Sequence, residues 1–170
     1  MVIWLTGLPG SGKTTIARAL AERLRSRGFR VEVLDGDEVR RWLSPDLGFT
    51  REDRERHLLR VAHVARLLAR NGVVVIASFV SPYRDVRARV RGVVEGEGLR
   101  FVEVYVRCSL EECMRRDPKG LYRRALRGEV RHMTGLDDPY EPPENPEVTV
   151  DTERMGIEEC VEAVLRAALP

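Results

Sequence analysis

Gly7-Leu8-Pro9-Gly10-Ser11-Gly12-Lys13-Thr14 is the stretch that decides the fold. It fits the pattern G-x-x-x-x-G-K-[ST] and stands after an apolar segment at residues 2–5 and before a helical stripe made by Ile16, Leu20 and Leu24. The glycines let the backbone wrap an anion with its N–H groups, and the helix start behind them adds a partial positive charge. Lys13 can then reach the β and γ phosphates of a nucleoside triphosphate, and the Thr14 hydroxyl can ligate Mg2+. A glycine-rich turn without a ligand is the alternative, and the flanking strand and helix argue against it. Gly7, Leu8, Pro9, Gly10, Ser11, Gly12, Lys13, Thr14 and the following Thr15 are therefore the candidate ATP contacts.

Outward from this loop, short β-branched runs alternate with amphipathic helical patterns, which is the signature of a parallel sheet covered by helices. Strands are predicted at 2–6, 30–34, 73–77, 100–106 and 147–150. The expected fold is α/β: a P-loop NTPase domain over residues 1–170, with a five-stranded parallel sheet and helices on both faces. Leu58, Val61, Ala62, Ala65, Leu68 and Ala69 share one helical face, as do Ile157, Cys160, Val161, Val164, Leu165 and Ala168. Ser109 and Glu112 have capping-box spacing and predict another helix start. Two segments break the alternation: the arginine-rich 117–135 and the proline-rich 137–146. Such insertions in a compact domain are often lids, so an arginine-rich lid is expected at 117–135, with Arg115, Arg116, Arg123, Arg124 and Arg127 closing over phosphates.

Composition narrows the class further. The 170 residues carry a formal charge of +2, too close to balance to recruit nucleic acid, and no basic run has interleaved aromatics. The longest apolar run, 73–80, is strand-length, far short of the about 18 residues that a membrane span needs. With no secretory pattern at the start, the expectation is a cytoplasmic protein. Cys108, Cys113 and Cys160 are odd in number and lack C-x-x-C spacing, which predicts small buried hydrophobes and no metal or disulfide framework. Of 29 basic residues only Lys13 and Lys119 are lysine, so a compact ammonium is expected to matter at both places.

Asp35-Gly36-Asp37 follows the second predicted strand. In an open α/β sheet, ligands gather beyond the carboxyl ends of the strands, so these carboxylates should face the phosphate loop. A carboxylate there can take the proton of an acceptor hydroxyl or hold Mg2+. An ordinary Asp-Gly turn fits the same letters, and the residues alone leave both open. The third strand ends Ala77-Ser78-Phe79 without a carboxylate, so Asp35 or Asp37 must cover the metal role; Thr14 and Asp35 are the candidate ligands.

Read in order, GLPGSGKTT, LDGDEVR, DLGFTREDR, the ASFVSPYR run, EVYV, DPKGLYRRA, TGLDDPYEPPENPE and the closing VDT resemble the adenylylsulfate kinase family over nearly the whole chain. The resemblance implies transfer of the γ-phosphate of MgATP to the 3′-hydroxyl of adenosine 5′-phosphosulfate (APS), and a homodimer. By the same resemblance, Asp37 lies near the acceptor hydroxyl, Arg40 and Arg54 hold its anionic tail, and Phe49 stacks on its adenine. Lys119 reaches the transferring phosphate from the lid, and Arg116 lies near the ATP adenine. Ser81 matches a serine that the family's descriptions give as a phosphoserine. In-line transfer needs no covalent stage, so Ser81 is carried, with Val80, as a residue of the acceptor pocket. Asp37, Lys13, Lys119 and Ser81 are the candidate catalytic residues.

Two positions depart from the family's pattern. His57 stands where an asparagine is common, and either hydrogen-bonds like it or caps a helix face; Met133 stands where a phenylalanine would complete the clamp on the acceptor adenine, and both are carried as acceptor contacts. The nearest alternative is a kinase of the same fold for a sugar acid or nucleoside monophosphate, against which Phe49 and DPKGLY argue. A nucleotide-dependent binding module is the alternative of another class, and the near-neutral charge argues against it.

Overall fold

The computed structural model describes residues 1–169. The chain runs β1 (Val2–Thr6), α1 (Lys13–Ser26), β2 (Val31–Asp35), α2 (Gly36–Leu43), α3 (Arg51–Arg70), β3 (Val74–Ser78), α4 (Arg84–Glu95), β4 (Phe101–Arg107), α5 (Leu110–Arg116), α6 (Leu121–Leu126), β5 (Val148–Asp151) and α7 (Ile157–Ala168). All five strands are parallel in the order β2-β3-β1-β4-β5, so β1 is central and its phosphate loop emerges at the middle of the carboxyl edge.

Period-two alternation sends the residues of β1 to two cores. Ile3 and Leu5 pack with Ile16, Leu20 and Leu24 of α1 and with Val161, Val164 and Leu165 of α7. Val2 and Trp4 pack on the opposite face with Val61, Ala62 and Ala65 of α3 and Val86 and Val90 of α4. A third, smaller cluster lies around α5 and α6 and joins Cys108, Cys113, Tyr122 and Met133 to Leu8, Leu110 and Leu121. All three cysteines are free and buried, and burial pushes the Cys113 thiol up to about 12. No helix among the described residues is long and apolar enough to cross a membrane.

Four strands sit one residue later than the apolar runs predict. The ladder continues through Asp35↔Ser78 and Arg107↔Asp151 because backbone groups pair whatever their side chains are. Ser109 caps α5 by accepting from the Glu112 N–H at 3.2 Å. The reciprocal half of a capping box is absent: Glu112 bonds Arg115 and Arg116, and Glu153 accepts from the Ser109 N–H.

Candidate active site

The phosphate loop is built by close approach. A Cβ on Gly7 would stand 2.5 Å from the Val106 carbonyl oxygen, and Gly12 holds φ at 104°, a left-handed value that other residues rarely adopt. Lys13 is buried at the head of α1 and its Nζ donates to the carbonyls of Gly7 (2.8 Å) and Leu8 (2.9 Å). Burial lowers its ammonium to about 8, while the charges of Asp35 and Asp37 pull the other way. Ser11 Oγ is buried with no protein partner. An orphaned hydroxyl, a buried ammonium and backbone N–H groups at a helix start fit a polyphosphate. The hydroxyl of Thr14 and the carboxylate of Asp35, which ends β2 and leads into α2, supply the hard oxygen donors suited to Mg2+.

Beside the start of α1, a cavity of about 260 Å3 is lined by Gly12, Thr15, Ile16, Arg116, Thr152, Met155, Ile157 and Cys160. Arg116 is fixed there by Glu112 (3.0 Å), Thr152 Oγ1 (3.1 Å) and the Thr152 carbonyl (3.0 Å). Thr152 in turn donates to the Ser11 carbonyl at 2.7 Å, tying the end of β5 to the phosphate loop. The other arginines expected to form a lid are engaged locally or left exposed. Arg115 pairs with Glu112, Arg123 with Asp117 and Arg124 with Glu129, and Arg127 is exposed.

Across from the loop, Asp37 lies in the first turn of α2 and is ion-paired with Lys119, which stands in the turn between α5 and α6. The charges of Lys119, Asp35 and Asp37 all act on Lys13, so the two lysines and two carboxylates share one site.

Residues 40–54 form a second anion-competent region. The Arg40 guanidinium lies 4.1 Å from the centroid of the Phe49 ring, which is 54% exposed. Arg40 also donates to the carbonyls of Leu47 (3.0 Å) and Gly48 (2.8 Å). Arg54 donates to the Phe49 carbonyl (2.8 Å), Thr134 Oγ1 (2.5 Å) and the His132 carbonyl, and its guanidinium lies 3.6 Å from Asp138. Burial first, and then the neighbouring Arg54 charge, lower the Arg40 pKa. Two guanidiniums in one region supply the planar donors that suit phosphate or sulfate oxygens.

Three predicted contacts have settings other than the expected ones. Ser81 is 2% exposed and its Oγ is committed twice, accepting from Trp4 Nε1 at 3.0 Å and donating to the Phe79 carbonyl at 3.1 Å. Its hydroxyl is turned into the core, while Val80 beside it is half-buried. His57 is 4% exposed, its Nδ1 2.7 Å from Ser44 Oγ and its ring edge-on to Phe79, so it joins α3 to the end of α2. Met133 is 5% exposed, in the cluster with Tyr122 and the two cysteines, so its side chain is packed and not open to solvent. Each of these settings follows from packing between distant elements, to which the local motif gives no clue.

The structure also adds residues that the motifs contained without marking them. Thr6 Oγ1 bonds Tyr140 Oη (2.8 Å) and the Val80 carbonyl (2.7 Å). Buried Arg87 donates to the carbonyls of Ser81 (2.6 Å) and Glu141 (2.5 Å), clamping the end of β3 to the connector after the lid. Tyr140 and Glu141 lie inside the PYEPPENPE run, but nothing in the sequence alone pairs them with Thr6 or Arg87.

The family model described as Adenylylsulphate kinase matches residues 1–151. A probable adenylyl-sulfate kinase of Aeropyrum pernix is 63% identical over 161 residues, covering 95% of this chain and 88% of that one. The adenylyl-sulfate kinase of Myxococcus xanthus is 53% identical over 172 residues, covering 99% and 92%. Among solved structures, the Mycobacterium tuberculosis APS kinase CysC in complex with AMPPNP and APS superposes with a TM-score of 0.96 at 41% identity, covering 99% of this chain and 97% of that one. With matches of this extent on a phosphate loop opposite a second anion-competent region, the chain belongs to the adenylylsulphate kinase family.

Proposed function

We propose that this ATP-dependent phosphotransferase, an adenylyl-sulfate kinase by its relatives, moves the γ-phosphate of ATP to the 3′-hydroxyl of APS between Lys13 and the Lys119–Asp37 pair. The observation that carries this assignment is that pair. It sets a mobile-armed ammonium and a carboxylate at one point beside the phosphate loop, and both act on the buried Lys13. Asp37 takes the proton of the attacking hydroxyl, and Lys119 leaves it to neutralise charge on the transferring phosphoryl group. Lys13 leaves the carbonyls of Gly7 and Leu8 to meet the β and γ oxygens. Thr14 and Asp35 would hold Mg2+, which would supply further charge neutralisation for the transfer.

On the acceptor side, Phe49 offers a face for adenine once Arg40 swings off it, and Arg40 and Arg54 then turn their forks to the phosphosulfate. Ser81 contributes through the shape of its backbone and not as a phosphate carrier, because its hydroxyl is engaged in the core. His57 and Met133 support the walls from behind. Release of ADP from MgATP, measured with and without APS, tests the proposal; acceptor-independent ADP release would sink it. A homodimer is proposed on the family resemblance, and sedimentation at enzyme concentration reads it.

A further inference from the structure

We infer that Tyr122 is a positioning residue for phosphoryl transfer, fastening the lid turn that carries Lys119 to the phosphate loop; the inference rests on the role proposed above for Lys119. Tyr122 lies in the first turn of α6 and is 1% exposed. Its hydroxyl donates to the Pro9 carbonyl at 2.6 Å, in the middle of the phosphate loop and 113 residues away in the chain. The same residue closes the turn below Lys119: its N–H donates to Asp117 Oδ1 at 3.1 Å, and the Arg123 N–H donates to Asp117 Oδ2 at 3.1 Å. The Gly120 N–H returns to the Asp117 carbonyl at 3.0 Å, and Asp117 holds a left-handed φ of 30° to make this possible.

Residues 117–122 are thus one closed turn with Lys119 on it. Lys119 is itself 53% exposed, and its only ion pair among the described residues is with Asp37, which the reaction must open. The side chain therefore does not fix its own height above the phosphates; the turn does, and the Tyr122 phenol is the side-chain hydrogen bond that ties the turn to the loop. The apolar cluster around Tyr122, with Cys108, Cys113 and Met133, would accept a phenylalanine ring as readily. A buried hydroxyl costs free energy unless it is bonded, and this one finds its partner in the phosphate loop. The two segments also approach on the neighbouring side, where a Cβ on Gly10 would stand 3.5 Å from Pro118 Cδ of the turn and 3.2 Å from the carbonyl oxygen of Cys113 in the preceding α5.

The test is a double-mutant cycle of Tyr122→Phe with Lys119→Ala, read as kcat and KM for both substrates together with thermal melting. Tyr122→Phe should lower kcat by about tenfold or more while both KM values stay within about twofold, because a misplaced charge weakens the transition state more than the ground state. In the Lys119→Ala background the same change should alter kcat by less than about twofold, since the group being positioned is gone. An unchanged kcat in the single variant, an equal fold-loss in both backgrounds, or loss of the cooperative melting transition in Tyr122→Phe would each overturn the inference. Full turnover by Lys119→Ala alone would instead remove the role proposed for Lys119, and with it the ground for this one.

Discussion

Lys119 and Asp37, 82 residues apart in sequence, form an ion pair that bridges the turn between α5 and α6 and the first turn of α2. Their side chains are 53% and 65% exposed, so the pair contributes only about 0–1 kcal/mol to stability and is available for chemistry. Asp37→Asn should therefore leave the melting temperature nearly unchanged. Turnover should fall by about 10²- to 10⁴-fold, the range of a lost general base, with affinity for a nonhydrolysable ATP analogue retained. Steady-state kinetics beside analogue titration checks it, and an unaltered kcat removes Asp37 from the proton-transfer role.

Phe49 is exposed, with the Arg40 guanidinium over its ring. Base–aromatic stacking is worth about 1–3 kcal/mol, so Phe49→Ala should raise the KM for APS by about 5- to 160-fold. The KM for ATP should not move. An equal rise in both constants would show that the ring supports the whole site and does not hold the acceptor's base.

Met133 fills the small cluster around α5 and α6. Enlarging it to phenylalanine should overpack that cluster and cost on the order of 1–3 kcal/mol. In a chain of this size that corresponds to a melting temperature lower by roughly 2–10 °C. The KM for APS should not tighten. Tighter acceptor binding with unchanged melting would return Met133 to the face of the adenine.

His57 is held neutral: burial, followed by the charges of Arg40 and Arg60, lowers its pKa to about 4. The unfolded chain takes up this proton near the ordinary value of about 6.5. His57's share of stability is therefore complete above that pH and is lost as pH falls from about 6.5 towards about 4. Urea unfolding of the parent and of His57→Asn at about pH 7 and about pH 5 reads it, and the parent should lose the larger share of its midpoint. Identical losses would assign the acid sensitivity to carboxylates common to both.

Lys13 has its ammonium lowered to about 8, chiefly by burial. Only the charged form pairs with phosphate, so affinity for the ATP analogue should decline as pH rises through about 8 and be retained below it. Calorimetry from about pH 7 to about pH 9 should show proton uptake on binding in the upper half of that range. PH-independent binding would place another cation on the phosphates.

The glycine-rich loop was legible because its conformation is set by consecutive residues, so that spacing in the sequence is spacing in space. The five strands were legible for a related reason, since apolar runs mark buried ladders; the one-residue offset at Asp35 and Asp151 arose because polar residues pair by backbone as well. The two lysines stood out by rarity, but composition cannot say that Lys119 meets Asp37 or that both act on Lys13.

The sequence by itself determined a parallel α/β sheet, a triphosphate loop at its carboxyl edge and, through its ordered motifs, the kinase family. Only the tertiary structure decided which way particular side chains turn: the Ser81 hydroxyl into Trp4 and Phe79, His57 onto Ser44, Met133 into the cluster around α5 and α6 and the Tyr122 hydroxyl onto Pro9. The physical reason is that a local pattern fixes backbone geometry within a few residues. The direction of a buried polar group is set by whichever distant partner satisfies its hydrogen bonds, and that partner is known only once the sheet has brought the segments together.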